Sequence, residues 1–380
     1  MAKNFTCHGI DCMSKHRWQI RDALFLHMCV GCVLFFNFFG HAIFGGTLSS
    51  LWSFSVPQLD SIPFADEQGI VLDYKRLKIA DVDQPYNPSI VKVLNGYLIA
   101  FRNDNGKGLK RQSTVASALL NTNFQQVGKT VFFHTSHTIS EDPRIIDVRG
   151  QLFFLYSHVH QWDPYTTYMA MMRFDQKTFS VSNEIDLQYH PQTIEKNWVP
   201  FVYTDLSGTS VYFVYSFNPY KLLKLSQNRP GIVEEPFPQS EKYNLTWEAK
   251  WGKISGGTPA LRVGDEYLSF FHSSFWSKRI KWYVVGACTF NKTPPFQIKR
   301  ISKYPILFKK MYHTPTHPHV WFLPKQKFRV MFPGGFVESK ENGKNLIYLA
   351  YGENDSGLCV LTLDKDLLME SLQEFDLAKE

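Results

Sequence analysis

The sequence predicts an all-β chain folded as a five-bladed β-propeller, and three observations predict it. The 380 residues are 16% aromatic, with 32 Phe, 18 Tyr and 9 Trp, residue types that suit a pleated, half-buried surface. With 20 Pro and 23 Gly, the chain carries the punctuation that short strands and turns require. A proline-headed unit recurs at Pro88, Pro143, Pro200, Pro259 and Pro318, at spacings of 55, 57, 59 and 59 residues. Near-equal units of several strands each read as blades around an axis, an arrangement that leaves only short edges. The regular spacing argues against five unrelated hairpins in a sandwich.

Each unit has the same internal order. An extended segment leads into a turn (Asn95-Gly96, Arg149-Gly150, Ser207-Gly208, Gly264-Asp265, Lys325-Gln326), and an aromatic-rich strand follows. Further strands such as YMAMMRFD, YVVGACTF and GLCVLTLD complete the units. After Asp366 the apolar residues Leu367, Leu368, Leu372 and Phe375 fall at helical spacing, which predicts a C-terminal helix packed on the outside.

The first part of the chain has a different character. Ala23 to Gly46 is an apolar run of 24 residues without Asp, Glu, Lys or Arg, preceded by Lys3, Lys15, Arg17 and Arg21. A bilayer core needs about 20 such residues, and the flanking charge would keep the N-terminus cytoplasmic. His27, Asn37 and His41 interrupt the run. A retained signal anchor, a cleaved signal, a misassigned start and an apolar segment that packs on the globular domain all fit. The first two make the protein membrane-anchored or exported, and the others leave it cytoplasmic. The expected organisation is a basic leader (1–22), the signal segment (23–46), a connecting segment (47–84), the propeller domain (85–364) and the C-terminal helix (365–380).

Composition narrows the function. With 44% hydrophobic and 20% charged residues the chain is neither disordered nor a coiled coil. A net charge of +7 is less informative: it suits an anionic small molecule, a membrane surface or no particular partner. No Lys/Arg-only run supports a nucleic-acid partner. No metal and no cofactor is expected. Cys29 and Cys32 form C-x-x-C inside the apolar run with no second ligand pair, and Pro315 and Pro318 interrupt His313, His317 and His319.

Propeller sites lie at the central channel, where the first strand of each blade runs, so the proline segments are the places to look for chemistry. They carry Asn87 and Arg102; Glu141, Asp142 and Arg144; Lys196, Asn197 and Trp198; His272; and Tyr351, Glu353 and Asp355. Carboxylates bond hydroxyls, aromatic faces such as Trp198 and Tyr220 stack on sugar rings, and cations suit an anionic group beside them. Singly, each has a plainer reading: Asp142 before proline is a turn former, and Lys196 is a solvated strand end.

Together these residues resemble the five-bladed propeller family of β-mannoside phosphorylases and mannosyltransferases, glycoside hydrolase family 130. The likeness runs from about Pro85 to Asp364. It rests on N-P-S with Arg102 downstream, E-D-P-R (Glu141 to Arg144), K-N-W (Lys196 to Trp198), G-G-T-P (Gly256 to Pro259), Y-V-V-G-A-C (Tyr283 to Cys288), Y-P-I-L (Tyr304 to Leu307) and Y-G-x-x-D (Tyr351 to Asp355).

The resemblance implies that Asp142 is the general acid. It also implies that Arg102, Lys196 and Asn197, with Lys250 or Lys253 as a looser candidate, hold phosphate. Asn87, Arg144, Trp198, His272, Tyr351 and Asp355 then bind substrate. The implied reaction interconverts a mannoside or other glycan plus inorganic phosphate with mannose 1-phosphate, with inversion. Three features depart from the family: Ser273 follows Phe271-His272, Glu353 and Asn354 stand inside Y-G-x-x-D, and Lys196, which cannot bind phosphate in the bidentate way of an arginine, stands where some members have Arg. Glu353 as a base would make the protein a β-mannoside hydrolase, since hydrolysis needs a second carboxylate. A carbohydrate-binding propeller without turnover is the non-enzymatic alternative.

Overall fold

A computed structural model describes residues 57–105, 112–240, 242, 244–315 and 328–375. Strand β1 (Val71–Arg76) comes first. The first sheet then runs β2 (Gln84–Val93), β3 (Gly96–Asn105), β4 (Gln112–Leu120), β5 (Gln126–Phe133). The second is β6 (Ser140–Val148), β7 (Gln151–Trp162), β8 (Tyr165–Asp175), β9 (Ser180–Asp186), and the third is β10 (Val199–Asp205), β11 (Gly208–Phe217), β12 (Tyr220–Leu225), β13 (Val233–Glu234). The fourth is wider. It holds β14 (Ser255–Gly256), β15 (Leu261–Val263), β16 (Glu266–Ser277), β17 (Ile280–Asn291) and β18 (Ile298–Ser302), joined by β19 (Phe328–Arg329) and, at its outer edge, the terminal strand β23 (Leu372–Glu374). In the fifth, β20 (Met331–Glu341), β21 (Lys344–Glu353) and β22 (Gly357–Asp364) are completed by β1. The pairing of β1 with β22 joins the beginning of the described domain to its end.

The arrangement is propeller-like. Residues of β2, β6, β10, β20 and the 259–262 segment line one apolar cavity of about 210 Å³, so the inner strands of all the sheets face a common axis. Strand periodicity explains how neighbouring sheets adhere, because successive side chains point to opposite faces. In β3, Ile99 and Phe101 meet Tyr348, Ala350 and Val360 of the fifth sheet. The alternate residues, Leu98 and Ala100, meet Phe154 and Tyr156 of the second. Leu155, between those two, faces Trp198 and Phe213 of the third. Much of the aromatic excess is this packing: Phe201, Tyr267, Phe290 and Phe296 sit with ring centroids 5.0–5.3 Å apart for the closest pairs. Burying each such side chain contributes about 1.5–3 kcal/mol.

Several expectations need correction. The fifth inner strand is Met331–Glu341, with its turn at Asn342-Gly343, whereas Pro318 and Lys325-Gln326 lie outside the described residues. The prolines also do not share one register. Asn87 and Asp142 directly precede Pro88 and Pro143 at irregular points in the strand pairing, while Pro200 sits inside regular pairing with Phe213. The fifth sheet draws on β1, so sheet structure starts within the segment read as a connection. The C-terminal helix is short: α2 (Lys365–Ser371), capped by Asp364 accepting from the Asp366 and Leu367 amides, gives way to β23. Leu372 therefore packs from a strand. Helix α1 (Thr246–Trp251) bridges the third and fourth sheets and was not foreseen. The apolar segment 23–46 lies outside the described residues. Among the described residues no helix is long and apolar enough to cross a membrane.

Candidate active site

The inner strands of the first two sheets each carry an irregularity near their N-terminal ends, between Tyr86 and Ser89 and between Glu141 and Arg144. Asn87 and Asp142 occupy them in the left-handed backbone region, at φ 51° and 54°, which Asn and Asp tolerate better than other non-glycine residues. The following proline has no N–H to leave unpaired. Local chemistry thus turns both side chains out of the ladder and toward each other, and Asn87 Nδ2 donates to Asp142 Oδ1 at 2.8 Å. This approach requires Gly352: a Cβ there would stand 2.1 Å from Asn87 Oδ1.

Arg102, on β3, is the hub of this side. Nε donates to Asp104 Oδ1 at 2.9 Å, and Nη2 lies 2.7 Å from Glu141 Oε1, with Nη1 3.7 Å from Asp142 Oδ1. Tyr86 stacks under the guanidinium at 4.8 Å and donates its hydroxyl to Asp104. Burial alone would lower the Arg102 pKa, but Glu141, Tyr86, Asp104 and Asp142 hold it well above its usual value. Asp355 faces the same cluster. Burial pushes its carboxyl up to about 7; Arg102 opposes this, and Asp142, Asp104 and Glu141 reinforce it.

The group beside this cluster, joined to it by the bond from Arg144 to the Asp142 carbonyl, is cationic. His272, on β16, is buried against Phe332 at 4.8 Å. Burial first, then Arg144, Lys196 and Lys281, push its pKa down to about 3, so the ring is neutral. Its Nδ1 is buried without a hydrogen-bond partner. Lys196 is exposed and Lys281 half-buried in this group. Arg144 is only 1% exposed. Its Nε donates to the Gly257 carbonyl at 2.6 Å, Nη1 to the Asp142 carbonyl at 2.7 Å and Nη2 to Asn197 Oδ1 at 3.2 Å. Gly256 permits this closeness, since a Cβ would meet the Asn197 carbonyl at 2.1 Å.

The structure therefore brings Asn87, Arg102, Asp142 and Asp355 together, and groups Arg144, Lys196, Asn197 and His272 beside them. Arg102 is engaged by carboxylates, and Arg144 braces backbone carbonyls from a buried position. Other expected residues do something else. Trp198 is 1% exposed, packs against Phe213 and Tyr215 and donates Nε1 to Glu195, so it offers no face to a sugar. Tyr220 donates its hydroxyl to the Phe296 carbonyl in the core of the third sheet's neighbourhood. Tyr351 is wholly buried in the core beside Phe308. Lys250 and Lys253 are exposed on and just after α1.

Glu353 is the clearest correction. It is fully buried and accepts from the Tyr312 amide at 2.7 Å, the Thr314 amide at 2.8 Å and the Thr314 hydroxyl. A carboxylate so committed holds the 312–314 loop and is unavailable to activate water. Asn354 completes the brace, donating to the Tyr312 and Thr314 carbonyls.

Sequence reasoning missed three residues. Asp104 sits two positions past Arg102 on the same strand face, a spacing that period-2 alternation makes legible. Lys281 and Tyr165 carried no signal. Their place depends on β17 lying beside His272 and on the β7–β8 hairpin bringing Tyr165 near Glu141 and Arg102.

No family model matches the chain. Among characterised proteins it is 31% identical over 128 residues to β-mannosyltransferase 3 of Komagataella phaffii, covering 32% of this chain and 20% of that protein. It is 30% identical over 185 residues to β-mannosyltransferase 2 of the same organism, covering 47% and 27%. The matches thus span well under two thirds of those relatives' lengths. Among solved structures it resembles a mannose phosphorylase from Leishmania mexicana in complex with phosphate (TM-score 0.54, 14% identity, 83% of this chain and 96% of that one). A β-1,2-mannobiose phosphorylase from Listeria innocua is similar to the same degree (TM-score 0.54, 11% identity, 81% and 98%). The sequence relatives are β-mannosyltransferases over part of the chain, and the fold is the one that mannose and mannobiose phosphorylases share.

Proposed function

We propose that the protein is an inverting, mannoside-acting enzyme of five-bladed propeller architecture that moves a mannosyl group between a glycan hydroxyl and phosphate. The observation that carries this reading is the adjacency of a carboxylate-rich and a cationic group of residues, linked through Arg144. Asp142, oriented by Asn87, stands in the first, and Lys196 and Lys281 flank neutral His272 in the second. The sequence likeness to β-mannosyltransferases supports the mannosyl group.

In the phosphorolytic direction Asp142 gives its proton to the glycosidic oxygen, directly or through a sugar hydroxyl, as the C1–O bond breaks. A phosphate oxygen held by the lysines forms the new bond to C1 from the opposite face, releasing the alcohol and mannose 1-phosphate. In the synthetic direction Asp142 accepts the proton of the acceptor hydroxyl as the hydroxyl oxygen bonds C1 and the C1–O bond to phosphate breaks, releasing inorganic phosphate. Proton transfer by a positioned side chain contributes typically 10²–10⁴-fold. The commitment of Glu353 to the 312–314 loop supports transfer to phosphate over hydrolysis. Segment 23–46, acting as a signal anchor, would hold this activity at a membrane surface.

The test incubates the full chain with β-mannobiose, with and without inorganic phosphate, and with mannose 1-phosphate plus mannose. Mannose 1-phosphate formed only with phosphate, or β-mannobiose formed from mannose 1-phosphate, supports the reading. Free mannose released without phosphate would sink it, as would binding of the disaccharide with no product under any condition.

A further inference from the structure

Away from these two groups, at the edge of the second sheet, three side chains from separate parts of the chain meet. His137 comes from the connection between β5 and β6, His158 from β7 and Asp186 from the end of β9. His158 Nε2 lies 2.9 Å from Asp186 Oδ1, and His137 Nε2 lies 3.7 Å from the same oxygen. One donor atom from each residue falls within 4.8 Å of the others. The two imidazoles are stacked, with centroids 3.4 Å apart and planes inclined by 13°.

Several features distinguish this cluster from a chance meeting of polar groups. His158 is completely buried, and its Nδ1 has no partner, so Asp186 is the polar anchor of an imidazole that the fold places inside protein. Asp186 and His137 keep 40% and 19% of their side chains exposed, which leaves an approach from solvent.

We propose that His137, His158 and Asp186 form a binding site for a divalent transition cation of the zinc class. Two imidazoles and one carboxylate suit Zn²⁺, Co²⁺ or Ni²⁺, whereas Mg²⁺ and Ca²⁺ prefer oxygen ligands throughout. Metal–nitrogen distances of about 2.0–2.1 Å in a tetrahedral site separate ligand atoms by about 3.3 Å. The observed 2.9 and 3.7 Å bracket that separation. The near-parallel rings must tilt apart for both lone pairs to converge, and His158 must move its proton from Nε2 to Nδ1. The role is structural: His158 pairs with Ser140 across β6 and β7, one residue before Glu141 and two before Asp142. A bound cation would tie the approach to β6 to the outer strand of its sheet without touching the reacting atoms.

The test strips the full chain with a chelator and titrates it with Co²⁺, reading visible absorption and stoichiometry, and then with competing Zn²⁺. The wild type should bind one more ion than an H137A/D186N double variant. H137A and D186N singly should weaken that ion's binding at least about tenfold. Zn²⁺ should raise the wild-type melting temperature more than that of either variant. His137 is on a partly exposed connection, so H137A keeps the test independent of a folding defect at His158. Absence of saturable binding overturns the proposal. So does binding of equal stoichiometry and affinity in wild type and double variant, which would place the ion on other residues.

Discussion

Asn87 donates to Asp142 across the boundary between the first two sheets, at 2.8 Å, from one left-handed residue to another. Neither residue can reach the other from a regular strand. The pair couples the orientation of the candidate acid to the packing of two sheets. Asp142→Asn should lower mannosyl transfer by at least about 10²-fold, the usual contribution of general acid–base catalysis. Its denaturation midpoint should stay close to that of the wild type. Asn87→Ala should reduce kcat more than it raises KM. Steady-state kinetics checks both, and an unaltered rate in Asp142→Asn would remove the acid assignment.

Glu353 is expected to act on stability. Glu353→Gln turns an amide group toward N–H donors that the carboxylate satisfied, at a cost of about 1–3 kcal/mol for each buried group left unpaired. Urea denaturation should show a clear loss of stability, while kcat per folded molecule stays near wild type. A fall in kcat with unchanged stability would restore Glu353 as a base.

Trp198 gives a similar contrast. Removal of a buried large aromatic side chain costs about 3–5 kcal/mol, so Trp198→Ala should destabilise the protein strongly. Milder Trp198→Phe should leave KM for mannoside unchanged. A large KM increase in Trp198→Phe without loss of stability would instead mark it as a sugar platform.

The proposed anion-binding role of Lys281 is testable directly. Lys281→Ala should raise KM for phosphate or mannose 1-phosphate about tenfold while leaving KM for the mannoside little changed. That loss corresponds to about 1.4 kcal/mol of binding. Equal effects on both substrates would show that the lysine does not face the anion.

Asp355 and His272 give opposite pH dependences of stability. The Asp355 pKa is raised to about 7 in the folded state, so between about pH 4 and 7 the folded protein binds more protons than the unfolded chain. Its contribution to stability is therefore lost as pH rises through that window. The His272 pKa is lowered to about 3, so below about pH 6.5 the unfolded chain takes the extra proton, and stability is lost as pH falls. In the wild type the two partly cancel. Asp355→Asn should become more stable relative to wild type as pH rises from 4 to 8, and His272→Asn relatively more stable as pH falls from 7 to 4. Denaturation curves across this range read the two trends separately; parallel curves for either variant would remove its contribution.

Much of the fold was legible because its signals are local. Hairpins such as Asn95-Gly96 and Arg149-Gly150 announce themselves by turn chemistry, and the aromatic strands by alternation. The Asn-Pro and Asp-Pro dipeptides mark places where a strand leaves its ladder, and two of the site residues lie there. The fifth unit was misplaced because its inner strand carries Pro333-Gly334-Gly335 rather than the polar residue before proline found in the first two. The His137, His158 and Asp186 cluster had no signal, since its members meet only after β7 and β9 are aligned on one sheet.

The sequence by itself determined the all-β class, the order of the sheets through the fourth, and the positions of Asn87 and Asp142, because turn preference and period-2 alternation act between near neighbours. Tertiary structure alone decided which polar residues serve the site and which brace it. Glu353, Arg144, Trp198 and Tyr351 are close in sequence to residues that face the site, yet each is taken up by groups from distant segments. A one-residue irregularity in strand pairing exchanges the face a side chain points to, and whether the new face meets the site or another sheet depends on contacts that no local pattern records.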